Sequence, residues 1–278
     1  VMERLGWTTE TYRPPHIKPK MPTNAHELIN RTAGNHIYTG NQSPAQRAAE
    51  KLQRDLMELE NAIQRRQEWM CREALFTGAV NVDGEGVQQN ISFNRSAENF
   101  ETLAAGSRWS TSGGNPLADI KRWRSLVAQR SSRTPTVAVL GSAAAAAFTD
   151  SEAVTKKLDN RRINSGQLNA QMLSDMGVTY LGNIDGVDYY QYDEWYTDAN
   201  GDEQPMVPAH QVLLGSPGAR SVMHYAVIQD LKVTAAVRYF AKSWEVDDPS
   251  IRYLMVQSAP LPVTHDTDAF FVADVVPE

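Results

Sequence analysis

Disulfide bonds, membrane spans and a cationic surface for gripping nucleic acid are three things this 278-residue sequence has too little material to build. It holds one cysteine, Cys71, so an intrachain disulfide is impossible and a cross-linked secreted scaffold is excluded. Folding in a reducing cytosol is the expectation. Between Met70 and Arg72, on a stretch with helical period, Cys71 reads as a structural thiol. No apolar run reaches the roughly 18 residues a membrane helix needs. The longest low-polarity stretch, Val137 to Phe148, is mostly alanine and reads as a buried strand entering a helix. No charged segment followed by an apolar one opens the sequence, so no signal peptide is read. It starts on Val1 instead of methionine, and preceding residues are expected to have been removed or to lie outside it. The formal charge of -6 argues against holding DNA by neutralising phosphates.

Catalytic and metal-binding patterns are equally thin. The six histidines, His16, His26, His36, His210, His224 and His265, lack ligand spacing, and a lone cysteine cannot complete a zinc site. Gly84 and Gly86 start a dinucleotide fingerprint whose third glycine is Gln89 instead, so the pattern fails. Asp198, Asn200 and Asp202 open like a calcium loop, but its twelfth position is Ala209 and Gly201 comes too early, at position four instead of six. A hairpin turn is the better reading. Gly141-Ser142 runs into alanines and makes no nucleophile elbow. No catalytic residue, cofactor or metal ligand is assigned, and an enzyme assembled from distant residues ranks third among the readings.

What is present is an ordinary globular composition, 41% hydrophobic and 22% charged, long enough for one large domain or two smaller ones. Pro14, Pro15, Pro19 and Pro22 predict an extended segment from Tyr12 to Pro22, poor at internal pairing and suited to lie on a neighbour. Ser43, Pro44 and Gln46 form a helix start. Ala45, Ala48, Leu52, Leu56, Leu59, Ile63 and Met70 then recur at steps of three and four, with Gly78 as the stop. The prediction is one amphipathic helix over 43–77, about 50 Å long. Arg66 interrupts the stripe, which favours packing along a sheet over a coiled coil. A hairpin around Asp83 to Gly86 follows, then a helix over 116–129 and a strand over 136–140. Further helices are predicted at 143–148, 151–158 and 166–176. Strands are predicted at 178–184, 187–196, 212–214, 221–228, 232–240, 252–257 and 270–276. Helices and strands mix without βαβ regularity, so the fold class is α+β. Two basic groups, Lys156, Lys157, Arg161 and Arg162, then Arg122, Arg124, Arg130 and Arg133, read either as solvated helix ends or as binding surface.

Four stretches carry a family likeness. Val154 through Lys156, Lys157, Leu158 and Asp159 to Arg161 and Arg162 resembles a Val-Lys-x-Lys-Leu-Asp-x-Arg-Arg motif. Met255-Val256-Gln257-Ser258-Ala259-Pro260-Leu261 resembles Met-Ile-Gln-Ser-Ala-Pro-Leu. Leu214-Gly215 to Ile228-Gln229-Asp230, and Ile17-Lys18-Pro19-Lys20, match in the same order. The family is the lambda-type major capsid proteins of tailed bacteriophages and prophages. The resemblance implies the tailed-phage capsid fold, with a long spine helix, an extended loop, a peripheral domain and an axial domain. It assigns residues 1–42 to a remnant of the extended loop and a linker, 43–133 to the spine helix and peripheral domain, 134–230 to the axial domain and 231–278 to returning peripheral strands. The family's N-terminal arm and outgoing half of the loop are expected to lie outside this sequence.

By the same resemblance the chain assembles with itself as pentamers and hexamers, around a scaffold and with a decoration protein. DNA is enclosed without sequence-specific binding, and no membrane is involved. The virion capsid, built in the bacterial host cytoplasm, is the expected location. Trp7, Lys18 and Lys20 are the expected loop contact, and Arg161 and Arg162 an axial-domain contact. From the residues alone, a long-helix binding or scaffold protein of another kind is the alternative.

Overall fold

The computed structural model describes residues 11–24, 44–84, 87–162, 171–172, 177–198, 200–231, 233, 235–248 and 250–277. In chain order its elements begin with β1 (Lys20–Asn24), α1 (Pro44–Phe76), β2 (Ala79–Gly84), β3 (Val87–Ser92), β4 (Phe100–Thr102), α2 (Pro116–Ser131) and β5 (Val137–Leu140). Then come α3 (Ser142–Asp150), α4 (Glu152–Arg162), β6 (Gln171–Met172), β7 (Val178–Ile184), β8 (Val187–Tyr192), β9 (Trp195–Thr197) and β10 (Glu203–Pro205). The remainder are β11 (Gln211–Gly215), β12 (Ser221–Tyr225), β13 (Phe240–Val246), β14 (Ile251–Gln257), β15 (Pro260–Thr264) and β16 (Phe270–Asp274). Two compact units divide the chain, residues 1–70 with 223–262 and residues 71–222 with 263–278.

The first unit is a helix laid against a three-stranded sheet. The predicted long helix forms as α1, 33 residues without a break; its capping serine, Ser43, lies outside the described residues. Leu59 and Ile63 are buried against Leu254 and Val256 of β14, with Leu56, Ile17, Met21 and Tyr239 packed around them. The stripe is narrower than its spacing suggests, because Leu52 is 38% exposed. Asp55, buried instead, accepts the Thr23 hydroxyl at 3.4 Å and pairs with Lys51 at 3.7 Å. The break at Arg66 has a local cause: its guanidinium stacks 4.1 Å from the Trp69 ring centre. The sheet runs β1-β14-β13, all antiparallel. The segment predicted to pair poorly thus contributes a full edge strand.

The second unit is organised by a seven-stranded sheet in the order β4-β16-β11-β5-β8-β7-β6. β16 with β4 and β5 with β8 are parallel, and the remaining ladders are antiparallel. Asn115 caps α2 by accepting the Ala118 N–H at 3.2 Å, with Pro116 in the first turn. The core is a continuous run of rings. Trp123 stacks on Phe271 at 5.4 Å, Trp109 bridges Trp123 and Phe148, and Phe148 stacks on Tyr189 at 4.5 Å. The alanine run explains itself at Gly141, whose absent Cβ would stand 2.1 Å from the Pro208 carbonyl. Only small residues let α3 approach residues 208–209 so closely, and the Ala144 N–H donates to the Ala209 carbonyl at 2.9 Å.

Two strand or helix expectations fail, and β15 was not expected. No strand forms among the described residues of 232–239; the Asp230–Val233 and Val227–Ala236 bridges turn the chain there, and the strand begins at Phe240. Within the predicted helix over 166–176, Gln171–Met172 instead pairs with β7, and the remaining residues lie outside the described ones. β15 was hidden by Pro260 and Pro262, which a strand in a two-stranded sheet tolerates.

Ile63→Asp places a carboxylate at a site with no exposure and is expected to cost upwards of about 4 kcal/mol. Loss of soluble protein, or a collapsed denaturant midpoint, checks it. Gly141→Ala, which cannot avoid the Pro208 carbonyl, is expected to lower stability by about 1–3 kcal/mol in the same assay.

Candidate subunit interface

Alternation along residues 17–24 sets the chemistry of the first unit's margin. Ile17, Met21 and Thr23 face α1, while Lys18, Lys20, Pro22 and Asn24 are exposed. The ladder fixes which backbone groups remain available. Ile17 exchanges both bonds with Ser258, at 2.8 and 3.0 Å, and the Val256 N–H donates to the Pro19 carbonyl at 3.2 Å. The odd-numbered residues therefore bond inward, and the even-numbered residues turn their backbone groups to the free edge. Pro22 removes one outward donor, a device that keeps an edge strand from indiscriminate pairing. Residues 11–24 carry Arg13, Lys18 and Lys20 and no acid, and the two lysines have no ion pair among the described residues.

His16 sits at the root of this strand. Burial, then the charges of Lys18 and Arg13, hold its imidazole below its ordinary 6.5. The unfolded chain therefore binds a proton that the folded chain refuses. Stability contributed by neutral His16 is complete above pH 6.5 and is lost as pH falls from 6.5 through the lower folded value. A pH series of melting temperatures is expected to slope downward below that point, and His16→Gln to flatten the slope.

Beside this edge, the sheet face turned away from α1 forms cross-strand rows. Lys20 aligns with Met255 and Lys242, Pro22 with Tyr253 and Trp244, and Asn24 with Ile251 and Val246. The Tyr253 and Trp244 rings stack at 5.4 Å, and Val246 is 40% exposed. Lys242 is already engaged, with its ammonium 2.6 Å from the nearly buried Asp230 carboxylate. Lys18 and Lys20, by contrast, are exposed and have no ion pair among the described residues.

In the second unit the β9–β10 hairpin, like β2–β3, lies outside the seven-stranded sheet. β9 and β10 pair only with each other, placing Trp195 opposite Pro205 and Thr197 opposite Glu203. Trp195 is 58% exposed. The turn between them is the predicted one: the Asp198 carboxylate accepts the Asn200 and Asp202 N–H groups at 2.8 and 3.0 Å. Residues 193–205 contain five acids and no base. An exposed tryptophan in an acidic hairpin was legible in Asp193 to Glu203, and the sequence reading passed over it.

The arginine group noted in the sequence is internal structure. Arg122 forks onto Glu101 at 2.8 and 3.1 Å, and the Trp123 indole N–H donates to the same carboxylate at 2.6 Å. Burial pushes Glu101 up, but these two donors outweigh it and hold the carboxyl below its usual range. Arg124 donates to the Asp185 carbonyl, Arg130 to Asn99 and Glu98, and Arg133 to Asp266 and the Gly218 carbonyl. Lys157 pairs with Asp185 and Lys156 with Glu152. Arg161 and Arg162 end α4, their side chains outside the described residues, as is Trp7.

A groove of about 920 Å³ in this unit is lined by Trp109, Thr111, Asn115, alanines of α3, Asp150 and Glu152, among others. No histidine, cysteine or lysine lines it, and Glu152 is paired with Lys156.

The family model described as phage major capsid protein E matches residues 1–275. The chain is 28% identical to the major capsid protein of Escherichia phage lambda over 282 residues, covering 97% of this chain and 80% of that protein. It is 28% identical over 287 residues to the major capsid protein of Enterobacteria phage P21, covering 99% and 82%. Among solved structures, it superposes with a TM-score of 0.79 on a protein assigned as the capsid protein of a prophage of Escherichia coli CFT073. That match has 22% identity and covers 95% of this chain and 77% of the other.

Proposed function

Since the chain belongs to the phage major capsid protein E family and has the tailed-phage capsid fold, we propose that its copies close into an icosahedral head through pentamers and hexamers. The observation that carries this is the family match across residues 1–275. In this reading α1 is the spine helix, residues 43–133 and 231–278 supply the peripheral domain, 134–230 the axial domain, and 1–42 the loop region. Trp7, Lys18 and Lys20 supply a contact with a neighbouring subunit, and Arg161 and Arg162 one with the next axial domain. Each contact is weak alone. Closure makes them act together, because every subunit that docks satisfies several neighbours at once.

The acidic balance suits a wall that encloses DNA without gripping it. A scaffold would set curvature during assembly in the host cytoplasm, and a decoration protein would then secure the shell. The competing reading, a coiled-coil scaffold built on α1, loses its seam: Leu59 and Ile63 are already covered by the unit's own sheet.

Sedimentation velocity on the complete gene product separates the two. Shell assembly predicts a steep, concentration-dependent passage from subunits or capsomers to megadalton particles. A discrete dimer at every concentration and salt condition would refute it.

A further inference from the structure

Two surfaces described above carry opposite charge, and each presents an aromatic group. The first is the edge of the three-stranded sheet, where Lys18 and Lys20 border the Pro22–Tyr253–Trp244 row. The second is the β9–β10 hairpin, which presents Trp195 and Glu203 beside the turn acid Asp202. We propose that the Trp195 hairpin of one copy seats on this edge of a second copy, and that this is the contact Lys18 and Lys20 make.

The occupant is fixed by what each surface lacks. Lys18 and Lys20 lie in a stretch with no acid, and their outward side has no ion partner among the described residues. The hairpin has five acids with no base, and its Asp202 and Glu203 have no ion pair among the described residues. Asp193 and Glu194 are held by Gln191 and the Tyr192 hydroxyl, so the outward charge is concentrated at the tip. Trp195 supplies a large flat apolar body on a short hairpin, the residue type that most often anchors an interface. The Tyr253–Trp244 stack offers a matching aromatic platform, with rings 5.4 Å apart. Lys242 adds nothing to the attraction, because Asp230 neutralises it within its own unit.

The charge steers and registers the contact, and the tryptophan holds it. This inference rests on the shell-subunit reading and names the partner of its lysine surface.

The test is a charge exchange in the complete gene product, read as the assembled fraction by sedimentation and electron microscopy. K18E/K20E and D202K/E203K are each expected to lower that fraction about ten-fold at physiological salt. The four-site combination is expected to restore it, and Trp195→Ala to lower it with an unchanged melting temperature. Single-side variants that assemble like the parent overturn the contact, as does a four-site combination as defective as either half. A defect confined to the lysine variants means another surface meets that edge, and also overturns it. In all three cases a parent that still forms shells leaves the broader reading standing. A parent that never assembles overturns both.

Discussion

The burial of Leu59 and Ile63 of α1 against Leu254 and Val256 of β14 is the interaction on which the first unit depends. It draws together residues 17–24 near one end of the chain, the long helix, and strands near the other end. None of these could stay ordered alone. A helix of α1's length presents an apolar stripe that water would leave frayed, and a three-stranded sheet needs one covered face. Closing them on one another removes both exposures, at the entropic cost of bringing together segments far apart in sequence. Because α1 continues without a break through Phe76, the second unit begins on the same helix. Within the second unit Arg95 satisfies the end of that helix, donating to the Leu75 and Phe76 carbonyls at 2.8 and 2.7 Å.

Charge is partitioned by what the fold consumes. The arginines of α2 are tied to carboxylates and carbonyls of their own unit, so a group that looked like binding surface is a brace around the Trp123 core. Lys18 and Lys20 are left outward, as are the acids of the β9–β10 turn. On the proposed shell-subunit reading, internal charges fix the subunit's shape and the outward ones are available to its neighbours.

Much of the fold was legible because its signals are local. The three-and-four spacing across α1 and the hairpin turn at Asp198 to Asp202 act within a few residues. Non-local pairings were harder to read. Nothing near Lys20 announces that its strand pairs with Met255, and the alternation at residues 232–240 mimics a strand that the Asp230–Val233 bridge forbids. Pro260 and Pro262 concealed β15, and Asp55 was buried where Leu52 had been expected. For the candidate interface, the lysines were named from family likeness. The Tyr253–Trp244 platform could not have been, since its two rings meet only across a ladder.

The central claim is that this fold serves as the repeating tile of a closed shell. A cryo-electron microscopy reconstruction of particles formed by the complete gene product tests it most directly. The account predicts icosahedral symmetry, with α1 unbroken in every subunit and the edge bearing Lys18 and Lys20 against a neighbouring copy. Particles without closed symmetry, or subunits touching only through the coiled-coil face of a displaced α1, would contradict it.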